Sequence, residues 1–315
     1  MKTIKLPTLC ISATLLSMVS AFIASSARAQ QADKPDLIQN FPVGSGPADV
    51  IFDGSNIWIG NTNDDTVTKL RASDGALLGT FPAGDYPQYL AFDRANIWAS
   101  DTDGPGVTKL RASDGTILGA FTVPDAPEGI TFDGASIWVT SQEESVVTKM
   151  RASDGFLEGT FRTGTGPRGV IFDGTNIWVA NYLDGSITKL LASDGTLLGT
   201  VPIPGSPMYL VFDGAKIWAT NLLGSTVDVL RARDGASKGT FVVGNAPYGI
   251  TFDGTNIWVA NFNDDTVRRL RARDGTVTHT FHVGVNPVGI AYDGNSIWVA
   301  NYGDNTVSKI THTEP

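Results

Sequence analysis

The sequence predicts an all-β fold, a seven-bladed β-propeller of four-stranded antiparallel blades. Its seven tryptophans lie 40 residues apart, from Trp58 to Trp298. Each 40-residue unit holds four short apolar runs separated by turn residues. A repeat of this length is typical of propeller blades, and the runs are too short for a helical repeat.

The four predicted strands of a unit are called A, B, C and D in chain order. Strand A follows a repeated proline, strand B contains Ile-Trp, and strand C follows the consensus Thr-Val-Thr-Lys-Leu with substitutions. Asp-Gly pairs such as Asp53-Gly54 join A to B, and pairs such as Asp74-Gly75 join C to D; Asp93-Arg94 is the one departure. Glycine reaches positive φ without a Cβ penalty, so Asp-Gly between apolar runs favours tight hairpins.

The two ends of the repeat region predict how the ring closes. Phe41 precedes Phe81 by 40 residues, so the segment 37–44 is a strand D without its own A, B and C. The segment 287–311 supplies A, B and C of the last unit. We therefore predict a propeller over residues 36–315 in which the N-terminal strand completes the last blade and leaves no free sheet edge.

Two repeated side chains are assigned structural roles. The tryptophans, with the phenylalanines that end strand A, are expected to fill the core between blades. The strand C cations are expected to form an outer, solvated stripe; they are Lys69, Lys109, Lys149, Lys189, Arg269 and Lys309.

The first 29 residues have the features of a secretory signal peptide. Lys2 and Lys5 precede an apolar stretch, and Ala27-Arg28-Ala29 offers a small-x-small cleavage site. Residues 30–35 would then be a short linker. We expect a periplasmic or secreted protein with no membrane insertion after cleavage, and with no cysteine, because Cys10 is the only one.

The charge balance restricts the partners. Loss of Lys2, Lys5 and Arg28 would move the formal net charge from −9 to −12. An acidic domain is a poor candidate for nucleic-acid binding, since phosphates require clustered Lys and Arg. We expect a monomer whose partner is a small molecule, a peptide or an envelope protein.

Two segments carry a family resemblance. Residues 297–309 (IWVANYGDNTVSK) and 257–269 (IWVANFNDDTVRR) resemble the YVTN-repeat β-propellers. The segment from Pro247 to Trp258 is similar to virginiamycin B lyase-like propellers, whose repeats carry Pro-x-Gly-Ile and Asp-Gly-x-x-Ile-Trp. The first resemblance implies an exported, envelope-associated protein. The second implies a lyase that uses histidines, a glutamate and magnesium.

The histidines do not match that lyase pattern. His279 and His282 fall in a predicted strand D, and side chains three apart on a strand point to opposite faces. No catalytic residues, metal ligands or cofactor are therefore assigned, and only an oxygen-rich Ca²⁺ or Mg²⁺ site is left open. Its candidates are the B–C tips at 61–65, 101–103, Glu143-Glu144 and 261–265, where tight-turn chemistry is the alternative explanation.

The seven copies differ most on one face, which the D–A connections and the B–C tips share. Six of the seven tyrosines fall there. Tyr and Arg are enriched at binding hot spots, and binding loops are commonly carried on a rigid scaffold. The candidate ligand-binding residues at the channel mouth are Tyr89, Glu128, Arg168, Tyr182, Tyr209, Tyr248, Phe262 and Tyr302; solvated loop residues without a function are the alternative.

Three functions remain open at this point. The first is an exported, non-enzymatic binding or scaffold module that uses the variable face. The second is a metal-dependent lyase or hydrolase resembling virginiamycin B lyase, with Glu128, Glu143 or Glu144 as base or ligand. The third is a purely structural surface component.

Overall fold

The computed structural model describes residues 37–104 and 106–311, and this part of the chain contains strands and turns but no helix. The predicted signal peptide and linker, residues 1–35, lie outside it. The strands are β1 (Leu37–Pro42), β2 (Pro47–Phe52), β3 (Asn56–Asn61), β4 (Thr66–Arg71), β5 (Leu77–Pro82), β6 (Pro87–Phe92), β7 (Asn96–Asp101), β8 (Gly106–Arg111), β9 (Ile117–Thr122), β10 (Pro127–Phe132), β11 (Ser136–Ser141), β12 (Val146–Arg151), β13 (Leu157–Arg162), β14 (Pro167–Phe172), β15 (Asn176–Asn181), β16 (Ser186–Leu191), β17 (Leu197–Pro202), β18 (Pro207–Phe212), β19 (Lys216–Asn221), β20 (Thr226–Arg231), β21 (Ser237–Val242), β22 (Pro247–Phe252), β23 (Asn256–Asn261), β24 (Thr266–Arg271), β25 (Val277–His282), β26 (Pro287–Tyr292), β27 (Ile297–Asn301) and β28 (Thr306–Thr311).

These strands form seven four-stranded antiparallel sheets in a ring, which confirms the predicted fold. Blade 1 has the order β2-β3-β4-β5, and blades 2 to 6 repeat this order along the chain. Blade 7 has the order β1-β28-β27-β26, so the N-terminal strand supplies its strand D as predicted. The A strands of neighbouring blades pack side by side, and β26 packs beside β2 to close the ring.

The A–B turns depend on an aspartate that holds both the turn and the tryptophan. In blade 1 the Asp53 carboxylate accepts hydrogen bonds from the backbone N–H groups of Ser55 and Asn56 and from Trp58 Nε1, the last at 2.8 Å. Partial burial acts to raise the pKa of Asp53, but these hydrogen bonds hold it below its usual value. The same indole-to-carboxylate bond occurs in all seven blades.

Blade 2 keeps this turn without glycine. Gly54 has φ +97°, and Arg94 at the equivalent position has φ +80°. A side chain at that φ is strained. The departure noted in the sequence therefore changes the residue but not the turn.

The C–D turns contact the preceding blade. Gly75 has φ +75°, and a Cβ on it would lie 2.1 Å from Cε1 of Phe41. Phe41 belongs to strand D of blade 7, and its ring also lies 5.6 Å from that of Trp298. The contact recurs between Gly115 and Phe81, so the blade 7–blade 1 interface is built like the others.

The core lies between blades, where the tryptophans were expected. Trp58 is fully buried and packs with Leu90, Ile97 and Leu110 of blade 2. All seven tryptophans are at most 2% exposed. Large side chains of one blade thus fill the space against the next.

The expectation of a solvated cation stripe is wrong. Lys69 is 7% exposed, its Nζ lies 5.0 Å from the ring of Trp58, and it donates to the carbonyl of Ala112 in the next blade at 2.7 Å. Lys109, Lys149, Lys189 and Lys309 make the corresponding bond to the C–D turn of their neighbours. These lysines link blades rather than coat the surface.

The expectation that no free sheet edge remains is also wrong. Pairing of β1 closes the ring, but strand D is still the end strand of each sheet, with one unpaired outer edge. These edges are six residues long and carry a register shift next to the pairing of Lys69 with Gly79 or its equivalents. Short length and bulges discourage pairing with another chain.

Candidate functional site

The D–A connections and the B–C tips share one face of the ring, as predicted. In blade 1 the N–H of Thr62 donates to the carbonyl of Gly46 at 3.0 Å. The N–H of Ala83, in the connection to blade 2, donates to the carbonyl of Asp65 at 2.9 Å. This face is where the sequence copies differ, and the central channel opens onto it.

The second residue after the repeated proline is glycine in four blades and a larger residue in three. Where it is glycine, the backbone of the next blade approaches closely. A Cβ on Gly129 would lie 2.3 Å from the carbonyl oxygen of Arg168 in the next blade. Gly169, Gly249 and Gly289 face the same close approach. Blades 1, 2 and 5 instead carry the side chains of Asp49, Tyr89 and Tyr209 at this position.

Aromatic side chains meet across that centre. Tyr89 of blade 2 and Tyr209 of blade 5 have ring centroids 5.2 Å apart, although their blades are not neighbours. Tyr209 lies 5.5 Å from Tyr248, and Tyr248 lies 6.2 Å from Phe262. Four of the predicted residues therefore form one continuous aromatic row.

Glu128 and Arg168 form an ion pair beside this row. Arg168 Nη1 lies 3.5 Å from Glu128 Oε1, Nη2 donates to Gln142 Oε1 at 3.3 Å, and the guanidinium lies 5.1 Å from the ring of Tyr182. The Glu128 side chain is 4% exposed and that of Arg168 is 21% exposed. Burial raises the pKa of Glu128 even though Arg168 acts to lower it.

The predicted residues thus occupy two levels. Tyr89 and Glu128 are buried and Tyr209 is half-buried with a buried hydroxyl, and these three form a floor, whereas Tyr182, Tyr248, Phe262 and Tyr302 are half-buried and form a rim. Arg168 lies between them. Tyr89, Glu128 and the Tyr209 hydroxyl are therefore less accessible than the rim residues. We call these eight residues the mouth cluster.

Several polar atoms of the mouth cluster are buried without a hydrogen-bond partner. They are the hydroxyls of Tyr89 and Tyr209, Glu128 Oε2 and Arg168 Nε. A buried polar group left unpaired costs about 1–3 kcal/mol, so such groups are uncommon in folded proteins. Burial also raises the pKa values of Tyr89 and Tyr209 well above the usual value, and both hydroxyls stay protonated at neutral pH.

Tyr302 reaches the rim from blade 7 and meets Tyr86 of the blade 1–blade 2 connection. Burial raises the pKa of Tyr86, and the neighbouring Tyr302 hydroxyl adds to this effect. Tyr86 has φ +56°. It was recognised in the sequence as a residue of this face but not as a site residue, and only the ring geometry brings it to Tyr302.

An apolar cavity of about 350 Å³ opens at the rim between blades 5 and 6. Tyr248 and Phe262 line it together with Leu222, Leu223 and Ala246, and Asn245 and Asn263 supply polar groups. Its volume lies within the range of small-molecule sites. Leu223 is 75% exposed; the sequence offered a signal for it, since blades 1, 2, 3 and 6 carry polar residues at that tip and only blade 4, with Leu183, shares the leucine.

Asp49 is a further functional candidate that residue-type reasoning missed. Its carboxylate accepts from the N–H of Val50 and from the N–H of Leu90 in blade 2, both at 2.9 Å. Burial raises the pKa of Asp49 to about 7 against the effect of these two hydrogen bonds. The available signal was an aspartate where four blades have glycine.

The carboxylates of the B–C tips bind loop backbone. Asp64 accepts from the N–H of Ser45 at 2.6 Å, Asp264 accepts from that of Asn245, and Asp65 accepts from that of Tyr86. Glu143 and Glu144 are exposed. Over residues 37–104 and 106–311, no group of three or more His, Cys, Asp or Glu side chains could hold a metal ion.

His279 and His282 lie on β25, the outer strand of blade 6, where both are exposed. The Nδ1 atom of His279 lies 2.8 Å from Arg269 Nη2. Both histidines are thus placed away from the mouth cluster. Among the described residues, no helix has the length and apolar character needed to cross a membrane.

The fold and the site define a seven-bladed β-propeller whose channel is filled by side chains on the face of the variable loops. Two solved structures are similar to it. Streptogramin B lyase has a TM-score of 0.77 at 20% identity, covering 88% of this chain and 98% of the lyase. Kuenenia stuttgartiensis hydrazine synthase has a TM-score of 0.76 at 17% identity, covering 91% of this chain and 98% of that one. No protein-family model and no curated protein sequence matches the chain.

The likeness to streptogramin B lyase confirms the predicted resemblance to virginiamycin B lyase-like propellers in architecture. At these identities the likeness is one of fold, and a fold hosts many functions. The function must therefore be argued from the mouth cluster itself.

Proposed function

We propose that the protein is an exported, non-enzymatic binding module whose ligand lies on the mouth cluster. The observation that carries the proposal is the juxtaposition of an open apolar cavity with buried polar atoms that lack partners. Apolar walls with a few convergent polar groups are the usual chemistry of a small-molecule site. Export is supported by the sequence features of residues 1–29.

The cavity and the polar floor are connected through Tyr248. Its ring lines the cavity and packs on Tyr209. Burial raises the pKa of Tyr248 to about 12, while Arg168 is near enough to act against that rise. A ligand in the cavity would therefore contact the aromatic row through Tyr248, and Arg168 is near enough to Tyr248 to affect its pKa.

A fragment screen by ligand-observed NMR on the purified full chain tests the binding function. We expect bound fragments whose signals are lost in Phe262→Ala, which removes a cavity wall. Phe156→Ala is the matched control, because Phe156 is an aromatic residue at a C–D turn and is 60% exposed. Fragments that bind equally to both variants would place binding elsewhere. Cell fractionation with mass analysis of the mature N-terminus tests export separately.

The alternative is a metal-dependent lyase or hydrolase. One observation favours it: Glu128 is buried, has a raised pKa and keeps one oxygen without a partner. Such a carboxyl group is suited to general acid–base work. Activity that survives both Glu128→Gln and a chelator would rule this alternative out, whereas loss of activity in either condition would favour it over simple binding.

A further inference from the structure

We infer that the mouth cluster recognises aromatic carboxylates, with the aromatic ring in the cavity beside Tyr248 and Phe262 and the carboxylate at Arg168. This inference rests on the proposed binding function and specifies its ligand class. It draws on the walls of the cavity, the unused donors of Arg168 and the balance of donors and acceptors in the floor.

The cavity suits a planar apolar group. Leu222, Leu223 and Ala246 supply aliphatic walls, and Tyr248 and Phe262 supply ring faces and edges in a tilted arrangement. Aromatic groups gain contact energy from such offset or edge contacts beyond the area they bury. Leu223 is held largely open to solvent at the entrance, and a ring entering the cavity would cover it.

Arg168 has N–H groups that make no hydrogen bond of good geometry within the protein. A guanidinium has five N–H donors in a planar fork, and only the bond from Nη2 to Gln142, at 3.3 Å, meets hydrogen-bond geometry. The Nη1–Glu128 separation of 3.5 Å is a loose ion pair, and Nε has no partner. The guanidinium also lies 5.1 Å from the centre of the Tyr182 ring, a cation–π contact that helps to hold the group in place. Such a fixed fork matches the two oxygens of a carboxylate.

The floor favours an anionic head group over a cationic one. The hydroxyls of Tyr89 and Tyr209 are protonated and, like Arg168 Nε, make no hydrogen bond of good geometry, although Tyr89 lies close to Tyr209, Glu128 and Arg168. A ligand acceptor would find these three donors in the floor. One acceptor, Glu128 Oε2, is unpaired there. Arg168 remains charged, since Glu128 and the nearby tyrosines hold its pKa above the usual value against the effect of burial.

Calorimetric titration of the full chain with three probes of one shape tests the inference. The probes are phenylacetate, phenylacetamide and phenethylamine, which carry an anionic, a neutral and a cationic head on the same ring. We expect phenylacetate to bind roughly tenfold tighter than phenylacetamide, because a charge-assisted bidentate bond is stronger than a neutral one. Phenethylamine should bind most weakly.

Arg168→Gln should remove the preference for the carboxylate, and Arg168→Lys should keep only part of it, because lysine retains the charge but not the fork. Arg162→Gln is the matched control, since Arg162 is an exposed arginine at the end of β13. Thermal melts establish that each variant is folded.

Three outcomes would overturn the inference: equal affinity for acid and amide, preference for the amine, or no binding of any probe. These outcomes leave the proposed binding function to its own test, because the fragment screen with Phe262→Ala does not depend on the charge of the head group.

Discussion

At the scale of single residues, blade 2 carries a buried carboxyl group at the end of strand B, where five other blades carry an asparagine. At the end of strand B, Asn61 donates from Nδ2 to the hydroxyls of Thr66 and Thr68 at 3.0 and 2.8 Å, and Asn181 and Asn301 do the same in their blades. Asp101 takes this position in blade 2. It accepts from Thr108, while its Oδ1 is buried without a partner.

Burial raises the pKa of Asp101 to about 7, and nearby Asp85 adds to the effect. The folded protein therefore holds a proton on Asp101 at pH values where the unfolded chain has lost it. By linkage, this group favours folding most below its unfolded pKa near 4, and that contribution is lost as the pH rises through about 7. Burial likewise raises the pKa of Asp49 to about 7, so its contribution to stability is also lost as the pH rises through about 7.

We predict that Asp101→Asn stabilises the protein at pH 8 by on the order of 1 kcal/mol, because it removes a buried, incompletely paired charge. The gain should shrink at pH 5, where Asp101 is already protonated. Urea unfolding at both pH values measures the difference. Asp114→Asn is the control: the pKa of Asp114 is lowered to about 2, so that carboxylate is ionised at both pH values. An equal effect of Asp101→Asn at pH 5 and pH 8 would contradict the prediction.

At the scale of strands, the lysine links show how one blade compensates for a lost side chain. Blade 5 has Val229 where most blades have the linking lysine. Lys216, at the start of the preceding strand β19, replaces it: its Nζ donates to the carbonyl of Ala272 in blade 6 at 2.5 Å and lies 5.2 Å from the Trp218 ring. The acceptor and the aromatic contact are the same as in other blades, and the lysine arrives from a different strand.

We predict that Lys216→Asn destabilises the protein by about 1.5–3 kcal/mol, as expected for loss of a hydrogen bond to a charged group. Asparagine is the residue found at this position in blade 1, as Asn56. Adding Val229→Lys to the variant should recover most of the loss, because it restores the usual arrangement. Lys238→Asn, an exposed lysine on β21, is the control. Chemical denaturation of five proteins, the wild type, the Lys216→Asn and Val229→Lys single variants, the double variant and the control, measures the coupling between the two positions. Additive effects of the two substitutions would contradict the proposed exchange of roles.

The replacement of one lysine by another from a different strand shows which features the sequence could not predict, namely those that depend on contacts between blades. The turns were predictable because Asp53-Gly54 and its counterparts carry their conformational reason in two adjacent residues. The buried state of Lys69 was not, because its acceptor lies on Ala112 in another blade. Likewise, the differing residues at Tyr89 and Tyr209 were visible in the repeat alignment, but their contact across the ring follows from the closed geometry of seven blades.

At the scale of the whole molecule, stability depends on a closure formed by β1. Ser308 Oγ donates to Asn40 Oδ1 at 2.7 Å, and the N–H of Val43 donates to the carbonyl of Asn305. Phe41 packs on Trp298 and against Gly75. These contacts equal those that Phe121 makes with Trp98 and Gly155 inside the continuous part of the chain.

We predict that Phe41→Ala and Phe121→Ala destabilise the protein by similar amounts, about 3–5 kcal/mol each, as is usual for loss of a packed phenylalanine. Position near a chain end would ordinarily make a residue tolerant of change. Leu197→Ala is the control, since Leu197 lies on a strand D and is 58% exposed. Calorimetric melting compares the three, and a small loss for Phe41→Ala alone would show that the closing strand is only loosely held.

The pairing of β1 with β28 also affects the order in which the blades can form during synthesis. During synthesis β1 emerges before every other described strand, and its partner emerges last, more than 260 residues later. Blades 1 to 6 each contain all four of their strands within one short stretch and can pair them locally, whereas blade 7 must wait for the complete chain. Contacts between residues so distant in sequence slow folding. The pairing of β1 with β28 therefore cannot form until the last described strand has been synthesised.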